Sequence, residues 1–272
     1  MTREELQERV SDIDAVVAGA DTWDEAVFSL APKLKIIARF GVGLDNIDVE
    51  AAGRFGIKVT SAAGKNANAV AELAIGLMLA ALRGIPYLHQ ATRRGGWDRF
   101  VGEEMEGKKV GLLGFGAIAR KVARKLSGFE VEINAYDKDP DLDAARELNV
   151  SLISAEKLLQ VSDIVCLLLP SLKETYHFMR RETFSRMKDG AYFINVARGA
   201  LVDEKALFDA LVSGKLKAAA IDVYEVEPVS ADNPLFGLTN LVTTPHTAAE
   251  TYKSYREVGL HTARAILEVL DV

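Results

Sequence analysis

The sequence predicts an α/β protein in which a doubly wound parallel sheet forms one domain and a second, smaller α/β domain accompanies it. Two observations indicate this class. Short apolar runs alternate with helical patterns along all 272 residues, and six of these runs follow one another at even spacing after residue 108. Alternating strands and helices are typical of parallel sheets, whose strands are joined by crossover helices. Six such runs are what a doubly wound sheet requires.

The first quarter of the chain supplies the smaller domain. Three apolar runs there predict buried strands at 15–19, 34–40 and 57–60. The segment from Glu250 onward has a helical pattern and predicts a helix that packs back on this domain. We therefore predict a smaller domain at 1–72 plus 250–272 and a larger domain at 73–249.

A long apolar segment at 68–85 links the two predicted domains. It has the length of a helix, and Glu72 and Arg83 interrupt it. We therefore expect a helix buried between layers or subunits and not a membrane span. The strand candidates of the larger domain follow at 109–113, 131–136, 164–169, 191–196, 218–223 and 241–244.

Composition and charge exclude several classes of protein. Hydrophobic residues make up 49% of the chain and charged residues 26%, as in soluble globular proteins, and the net charge of -6 argues against a nucleic-acid partner. The charged N-terminus lacks the apolar region of a secretory signal, and no apolar run is long enough to span a membrane. The single cysteine, Cys166, lies in an apolar run and predicts core packing in a cytoplasmic protein.

A glycine-rich turn follows the first strand of the larger domain, in V-G-L-L-G-F-G-A-I-A at 110–119. Gly114 permits a tight strand-to-helix turn, Gly116 permits close approach of a pyrophosphate, and Ala119 permits close helix packing. The helix N-terminus offers free N–H groups and a positive dipole end. The turn predicts a dinucleotide site, although a glycine turn without a ligand and the similar turn of methyltransferases stay open as alternatives.

An acidic residue indicates which dinucleotide binds. Asp137 closes the next predicted strand, about 20 positions after the glycines. A carboxylate at this place accepts hydrogen bonds from both ribose hydroxyls and repels a 2′-phosphate, which favours NAD over NADP. Lys138, the next residue, offers a cation that would soften this preference.

Three polar residues follow the ends of three predicted strands: Arg198 in N-V-A-R-G, Glu227 in E-V-E-P and His246 in T-T-P-H. Open parallel sheets bind ligands at this edge. A guanidinium matches a carboxylate, and an imidazole exchanges protons near neutral pH. A carboxylate bonded to the imidazole raises its pKa. Together these residues predict binding of a 2-oxo acid and proton transfer at its carbonyl oxygen, although each residue alone also fits a solvated surface role.

With these motifs, the chain resembles the D-isomer-specific 2-hydroxyacid dehydrogenases, most closely the phosphoglycerate-dehydrogenase-like branch. The resemblance covers nearly the whole chain. It includes P-K-L-K-I-I-A-R-F-G-V-G-L-D-N-I-D at 32–48, A-N-A-V-A-E-L at 67–73, the glycine turn and the three polar stretches. It implies a Rossmann-type dinucleotide-binding domain at 73–249 and a flavodoxin-like substrate domain built from the rest.

The resemblance also implies an activity and a set of site residues. The activity is NAD-dependent transfer of a hydride between nicotinamide and a D-2-hydroxy acid, with Arg198, Glu227 and His246 as catalytic residues and no metal. Backbone N–H groups of Val42 and Gly43 would bind the substrate carboxylate. The implied cofactor residues are Gly114, Gly116, Ala117, Ile118, Asp137, Ala197 and Asp222, the last of which would meet the carboxamide. Relatives form homodimers through the region that corresponds to 70–105.

The substrate stays open at this point. Arg39 and Lys65 are predicted in loops on the substrate side, where two cations could bind a phosphate and favour 3-phosphoglycerate. In the alternative interpretation, Arg39 only positions its own loop and Lys65 is solvated. Glyoxylate, hydroxypyruvate and lactate-type acids all fit the second interpretation.

Two departures from the family pattern leave a second function class open. Leu168 stands where relatives usually have a histidine, and the chain starts about 40 residues later than members do, more than a βαβ unit. We therefore expect a truncated or remodelled smaller domain. This favours an inactive NAD(H)-binding scaffold, whereas the intact catalytic set favours an enzyme. Formate dehydrogenases pair their histidine with glutamine, and Glu227 argues against that branch.

Overall fold

The structure is a computed structural model that describes residues 2–271. The chain forms two compact units, one of Met1–Ala69 with Ala249–Val272 and the other of Val70–Ala248. Each unit has its own hydrophobic core. The substrate and cofactor roles assigned to the two predicted domains stay predictions at this stage.

Ten strands and eleven α-helices are found among the described residues. The strands are β1 (Ala15–Ala18), β2 (Ile36–Arg39), β3 (Lys58–Ser61), β4 (Lys109–Leu113), β5 (Glu132–Tyr136), β6 (Ser151–Leu152), β7 (Ile164–Leu167), β8 (Ala191–Asn195), β9 (Leu216–Ile221) and β10 (Leu241–Thr243). The helices are α1 (Arg3–Arg9), α2 (Glu25–Phe28), α3 (Val49–Arg54), α4 (Ala67–Arg83), α5 (Ile85–Arg93), α6 (Ala117–Leu126), α7 (Leu142–Glu147), α8 (Ala155–Val161), α9 (Arg181–Arg186), α10 (Glu204–Val212) and α11 (Tyr252–Leu270).

The smaller unit is a three-stranded parallel sheet in the order β1-β2-β3, covered by helices. Its three strands lie where the apolar runs predicted them. Helix α11 packs on this sheet, as predicted. The rings of Phe40 and Tyr255 are 5.7 Å apart, and His261 Nε2 lies 3.0 Å from the Ser61 carbonyl oxygen. The last helix therefore completes a unit that begins with the first residues of the chain.

The larger unit is a seven-stranded, fully parallel sheet in the order β10-β9-β8-β7-β4-β5-β6. This is the Rossmann order with one further strand, β10, beside the last. The strand order reverses between β4 and β7, which are neighbours. Ligands bind at the carboxyl ends of the strands near such a switch point. The predicted doubly wound fold is confirmed.

Hydrophobic burial explains why these strands form the centre of the unit. All four residues of β7 and all five of β8 are buried, as expected for central strands covered by helices on both faces. Cys166 of β7 is fully buried, and burial raises the pKa of its thiol to about 12. The prediction that Cys166 packs in the core is confirmed.

The structure departs from the sequence prediction in two elements. The predicted helix at 68–85 is present as α4, which ends at Arg83, whereas α5 was not predicted. Gly84 separates the two helices with a left-handed φ of 60°, and their axes bend by 65°. No single helix within residues 2–271 is long and apolar enough to cross a membrane, and this bent pair passes that test by length and composition only. Strand β6 was not predicted, since two residues are too short for an alternating pattern to show.

Candidate active site

An imidazole and a carboxylate are paired beyond the carboxyl ends of β9 and β10. His246 Nδ1 lies 2.6 Å from Glu227 Oε2, and Glu227 Oε1 accepts a hydrogen bond from the Tyr224 backbone N–H at 3.0 Å. The side chains are 45% and 35% exposed, so a ligand can reach both. Because the carboxylate occupies Nδ1, Nε2 is the ring nitrogen that faces away from Glu227.

The pair stabilises the charged form of the imidazole. The hydrogen bond to Glu227 raises the pKa of His246, against the opposing effects of burial and of the Arg198 cation. Burial acts most strongly on Glu227 and favours its neutral acid. Hydrogen bonds from His246 and from the Tyr224 backbone outweigh burial, and the pKa of the Glu227 carboxyl falls below its usual range. The contact therefore favours an imidazolium beside a carboxylate more than water would favour the same two ions.

Asp222 holds the segment that contains His246. The buried Asp222 carboxylate accepts a hydrogen bond from Thr244 Oγ1 at 2.6 Å. It also accepts from the backbone N–H groups of Thr247 and Ala248, both at 2.9 Å. The His246 N–H donates to the Asp222 carbonyl at 2.7 Å, and His246 has a left-handed φ of 53°. Such a backbone costs about 1–3 kcal/mol and persists only where its surroundings fix it.

Arg198 is positioned by a close approach of two backbone segments. A Cβ atom at Gly199 would lie only 1.8 Å from the Tyr224 carbonyl oxygen, so a residue with a side chain cannot occupy this position without moving the backbone. The turn that follows Arg198 therefore packs directly on the loop that leads to Glu227. The positive charge of Arg198 acts on both Glu227 and His246. The structure thus brings the three predicted catalytic residues into one electrostatic cluster.

A buried asparagine that sequence reasoning missed shapes the same turn. Asn195, the last residue of β8, donates through Nδ2 to the Arg198 carbonyl at 3.0 Å and accepts the Ala197 N–H at 3.0 Å. The Arg198 guanidinium donates to the Ala197 carbonyl at 2.7 Å. The signal was present in the sequence, because Asn195 is a polar residue at the end of an otherwise apolar run, three positions before Arg198.

The glycine turn has the geometry of a phosphate-binding turn. Gly114 has a φ of 106°, and a Cβ there would lie 2.7 Å from the Leu168 carbonyl oxygen. Gly116 is the N-cap of α6, and no atom of the described residues lies within 4 Å of the place where its Cβ would be. Ala119 lies on the buried face of α6. Open space at Gly116, beside the free N–H groups of a ten-residue helix, fits a pyrophosphate.

Asp137 lies beside this turn. Its Oδ2 accepts a hydrogen bond from the Phe115 N–H at 2.7 Å, and its Oδ1 accepts the Asp139 N–H at 3.1 Å. The carboxylate follows β5 at the place where Rossmann domains bind the ribose hydroxyls. Lys138 is exposed to solvent. The donor set of the larger unit therefore fits a dinucleotide.

The remaining predicted cofactor residues lie along the same edge of the sheet. Ala117 and Ile118 are the first two residues of α6, and Ala197 lies in the turn before Arg198. Asp222 is different. It is buried, and both of its carboxylate oxygens are bonded to the segment after β10, so the structure shows it as a support of that segment. Its implied contact with the carboxamide stays a prediction.

The predicted substrate residues lie in the smaller unit. Arg39 ends β2 and was predicted in a loop; its guanidinium donates to the carbonyl oxygens of Ala18, Phe40 and Gly43 at 2.6–3.3 Å. These bonds shape the backbone around Gly43, as in the interpretation where Arg39 positions its own loop. Val42 and Gly43 are partly buried in that loop, and Lys65 is exposed. Within residues 2–271, no group of three or more His, Cys, Asp or Glu side chains could hold a metal ion.

Comparison with known proteins identifies the larger unit. The family model described as "D-isomer specific 2-hydroxyacid dehydrogenase, NAD binding domain" matches residues 75–248. Among solved structures, a glyoxylate reductase from Paecilomyes thermophila superposes with a TM-score of 0.89 at 33% identity, covering 97% of this chain and 84% of that one. The fold and the site thus define an NAD-binding α/β protein with an acid–base pair at its sheet edge.

The chain belongs to the D-isomer specific 2-hydroxyacid dehydrogenase family. The D-3-phosphoglycerate dehydrogenase of Archaeoglobus fulgidus is 43% identical over 272 residues, which are 99% of this chain and 52% of that protein. The chain therefore spans about half the length of this curated relative. The hydroxypyruvate reductase of Thermotoga maritima is 39% identical over 278 residues, covering 100% of this chain and 90% of that protein.

Proposed function

We propose that this protein is an NAD-dependent dehydrogenase that interconverts a D-2-hydroxy acid and its 2-oxo acid. The observation that supports the proposal most directly is the His246–Glu227 pair, with Nδ1 and Oε2 2.6 Å apart beside Arg198. A pair of this kind supplies a proton donor and acceptor, and a guanidinium beside it supplies the charge that binds a carboxylate. An NAD(H)-binding scaffold has no use for a charged imidazole at this position.

The residues of the chain perform three tasks in the proposed reaction. Arg198 binds the 2-oxo acid and polarises its carbonyl group. His246, charged because of Glu227, donates the proton on Nε2 to the carbonyl oxygen during reduction and accepts it back during oxidation. The bound nicotinamide supplies the hydride chemistry. The turn at Gly114 and Gly116 would hold the pyrophosphate of the cofactor at the N-terminus of α6.

The proposed substrate is a small 2-oxo acid without a phosphate group. The guanidinium of Arg39 donates to three backbone carbonyls, which weakens the case for Arg39 as one of the two predicted phosphate ligands. A hydroxypyruvate reductase and a glyoxylate reductase are among the proteins to which this chain is similar. Hydroxypyruvate and glyoxylate are therefore the first substrates to test. Phosphohydroxypyruvate is the competing candidate, and its turnover would restore the phosphate-binding role of the two cations.

The test of the proposal is NADH oxidation, followed by absorbance, with glyoxylate, hydroxypyruvate, pyruvate and phosphohydroxypyruvate as separate substrates. His246→Ala is the test variant. His89→Ala, which changes an exposed histidine of α5, is the matched control. We expect turnover that His246→Ala abolishes and His89→Ala retains. Tight NADH binding without turnover of any acid would contradict the proposal and favour the scaffold.

We further propose that the protein is a homodimer. The segment after α4 exposes apolar side chains that a monomer would leave in water: Trp97 is 83% exposed and Val101 is 91% exposed. An exposed cluster of this kind is typical of an interface. Sedimentation of the wild type and of the double variant Trp97→Ser/Val101→Ser tests the proposal. An equal particle mass for the two proteins would contradict it. The cytoplasmic location stays a prediction.

A further inference from the structure

A second histidine–glutamate contact lies beside the catalytic pair. His177 Nε2 lies 2.5 Å from Glu225 Oε1, although not in the line of a hydrogen bond. The His177 ring stacks on Tyr176, with centroids 4.0 Å apart and 15° between the planes. His177 also has a left-handed φ of 47°, a conformation that its surroundings must stabilise. The proposed proton transfer uses none of these contacts.

The backbone of His177 is bonded to the turn that follows Arg198. The His177 N–H donates to the Ala200 carbonyl at 2.9 Å. Two residues further along, Met179 and Val202 form a parallel bridge. The segment between β7 and α9 thus runs alongside the segment between β8 and α10. A change in the position of His177 is transmitted to the turn of Arg198 through these backbone bonds.

Glu225 is held through both its side chain and its backbone. Its N–H donates to Glu204 Oε1 at 2.8 Å, and Glu204 Oε2 accepts a hydrogen bond from Asn233 Nδ2 at 2.9 Å. Glu204 is the first residue of α10, which begins shortly after Arg198. Glu225 stands two positions before Glu227 in the chain. The contacts of Glu225 therefore lie close in the chain to the carboxylate that pairs with His246.

We propose that His177 is a positioning residue for the catalytic carboxylate: its backbone is bonded to the turn of Arg198, its imidazole contacts Glu225, and the two contacts together hold Glu227 at Nδ1 of His246. This inference rests on the proposed dehydrogenase function and deepens it. His177 does not touch the reacting groups and acts through Glu225.

The physical reason is that only one residue separates Glu225 from Glu227 in the chain. When the polar edge of the His177 ring is removed, the partly buried Glu225 carboxylate loses its contact with Nε2 and turns toward water. The backbone between residues 225 and 227 moves with it, and the hydrogen bond between Glu227 and His246 lengthens. That hydrogen bond is the main cause of the raised pKa of His246, where Glu227, Arg198 and Asp222 are the charged groups that act on the ring.

Two variants of His177 separate the contact with Glu225 from simple packing. His177→Phe keeps a flat ring on Tyr176 and removes the N–H, whereas His177→Gln keeps an N–H donor and removes the ring. The pKa of His246 is measured by NMR titration of the ring signals of the four histidines, with His246→Ala to assign the signal. We expect His177→Phe to lower this pKa by on the order of half a unit to one unit. We expect His177→Gln to leave it close to the wild-type value.

A kinetic measurement accompanies the titration. We expect His177→Phe to lower kcat for 2-oxo acid reduction about tenfold, less than the ~100-fold that a 1 Å misplacement can cost, with the KM for NADH unchanged. If His177→Phe does not fold, Glu225→Ala replaces it and is expected to lower the pKa of His246 in the same way.

An unchanged pKa of His246 in His177→Phe, or in Glu225→Ala, would overturn the inference. An equal decrease in His177→Phe and His177→Gln would also overturn it, because the ring and not the N–H would then be responsible. The titration needs no turnover. A wild type that reduces no acid would contradict the proposed function, while the titration would still decide the role of His177.

Discussion

Two carboxylates at opposite ends of the seven-stranded sheet have different partners. Glu227, beyond the carboxyl ends of the strands, contacts one imidazole and one backbone N–H. Glu103, at the amino ends, accepts hydrogen bonds from the ammonium groups of Lys108 and Lys217. These two hydrogen bonds, first that from Lys108, lower the pKa of Glu103 from 4.5 to about 2.

The comparison indicates that one end of the sheet stabilises the fold and that the other end carries the groups that exchange protons. Lysine ammonium groups keep their proton over the physiological range, so Glu103 stays an ion whose partners do not change. The partner of Glu227 is an imidazole, whose charge changes near neutral pH. Asp163, also at the amino ends, is paired with Lys188 and accepts the Lys109 N–H at 2.8 Å. The amino end is therefore built for stability and the carboxyl end for proton transfer.

The largest effect is expected from the imidazole itself. His246→Ala removes the proton donor, and we expect kcat to fall by about 10² to 10⁴, the usual contribution of general acid catalysis. The matched variant at the other end, Lys217→Ala, leaves Glu103 with one lysine and is expected to leave kcat unchanged. Steady-state kinetics of both variants check the prediction. A comparable loss of kcat in Lys217→Ala would remove the distinction between the two ends.

A large loss of stability is expected from a substitution at Gly199, where the turn after Arg198 packs on the loop that leads to Glu227. Gly199→Ala places a Cβ atom 1.8 Å from the Tyr224 carbonyl oxygen, and we expect the free energy of unfolding to fall by about 3 kcal/mol or more. Gly128→Ala is the control, because no described atom lies within 4 Å of the added Cβ, and we expect a change within about 0.5 kcal/mol. Urea unfolding measures both. Equal stability of the two variants would contradict the close packing at Gly199.

Glu103→Gln is expected to lower stability without changing the chemistry. The Glu103 side chain is 33% exposed and solvent screens its ion pairs, so we expect a loss of about 1–2 kcal/mol at neutral pH. The carboxyl has a lower pKa in the folded chain than in the unfolded chain. Its contribution is therefore complete above pH 4.5 and is lost as the pH falls toward about 2. A wild type and variant that differ in stability equally at pH 7 and at pH 2 would disprove this dependence.

A smaller effect is expected from a substitution in the glycine turn, which weakens cofactor binding and leaves stability unchanged. Gly116→Ala adds a Cβ to open space at the N-terminus of α6, so the fold tolerates it. The added methyl group would occupy the space that we assign to the pyrophosphate. We therefore expect the Kd for NADH to rise roughly tenfold, a loss of about 1.4 kcal/mol in binding free energy. Fluorescence titration with NADH measures the affinity, and thermal unfolding shows that stability is unchanged. An unchanged Kd would mean that the dinucleotide does not lie against Gly116.

The fold could be predicted from the sequence to a large extent, because burial on both faces makes each central strand an uninterrupted apolar run. All nine predicted strands are present. Strand β6 has only two residues, and the break between α4 and α5 depends on the backbone conformation of Gly84. A short edge strand and a single φ angle leave little trace in a hydrophobic pattern.

The contacts of the site could be predicted only in part. The residues proposed as catalytic follow strand ends, which are visible in the sequence. The hydrogen bonds of Asp222 join it to residues more than 20 positions away, and the contact between His177 and Glu225 joins two loops. Neither follows from local spacing, because each depends on how neighbouring strands place their loops.

The most direct test of the central claim is the pH dependence of 2-oxo acid reduction in the wild type, Glu227→Gln and Glu103→Gln. Reduction needs the protonated His246, so activity falls as the pH rises through the pKa of this residue. Glu227 raises that pKa, and we expect Glu227→Gln to move the fall in activity to lower pH. We expect Glu103→Gln to keep the wild-type profile. Identical profiles for the wild type and Glu227→Gln, or an equal shift in both variants, would contradict the account.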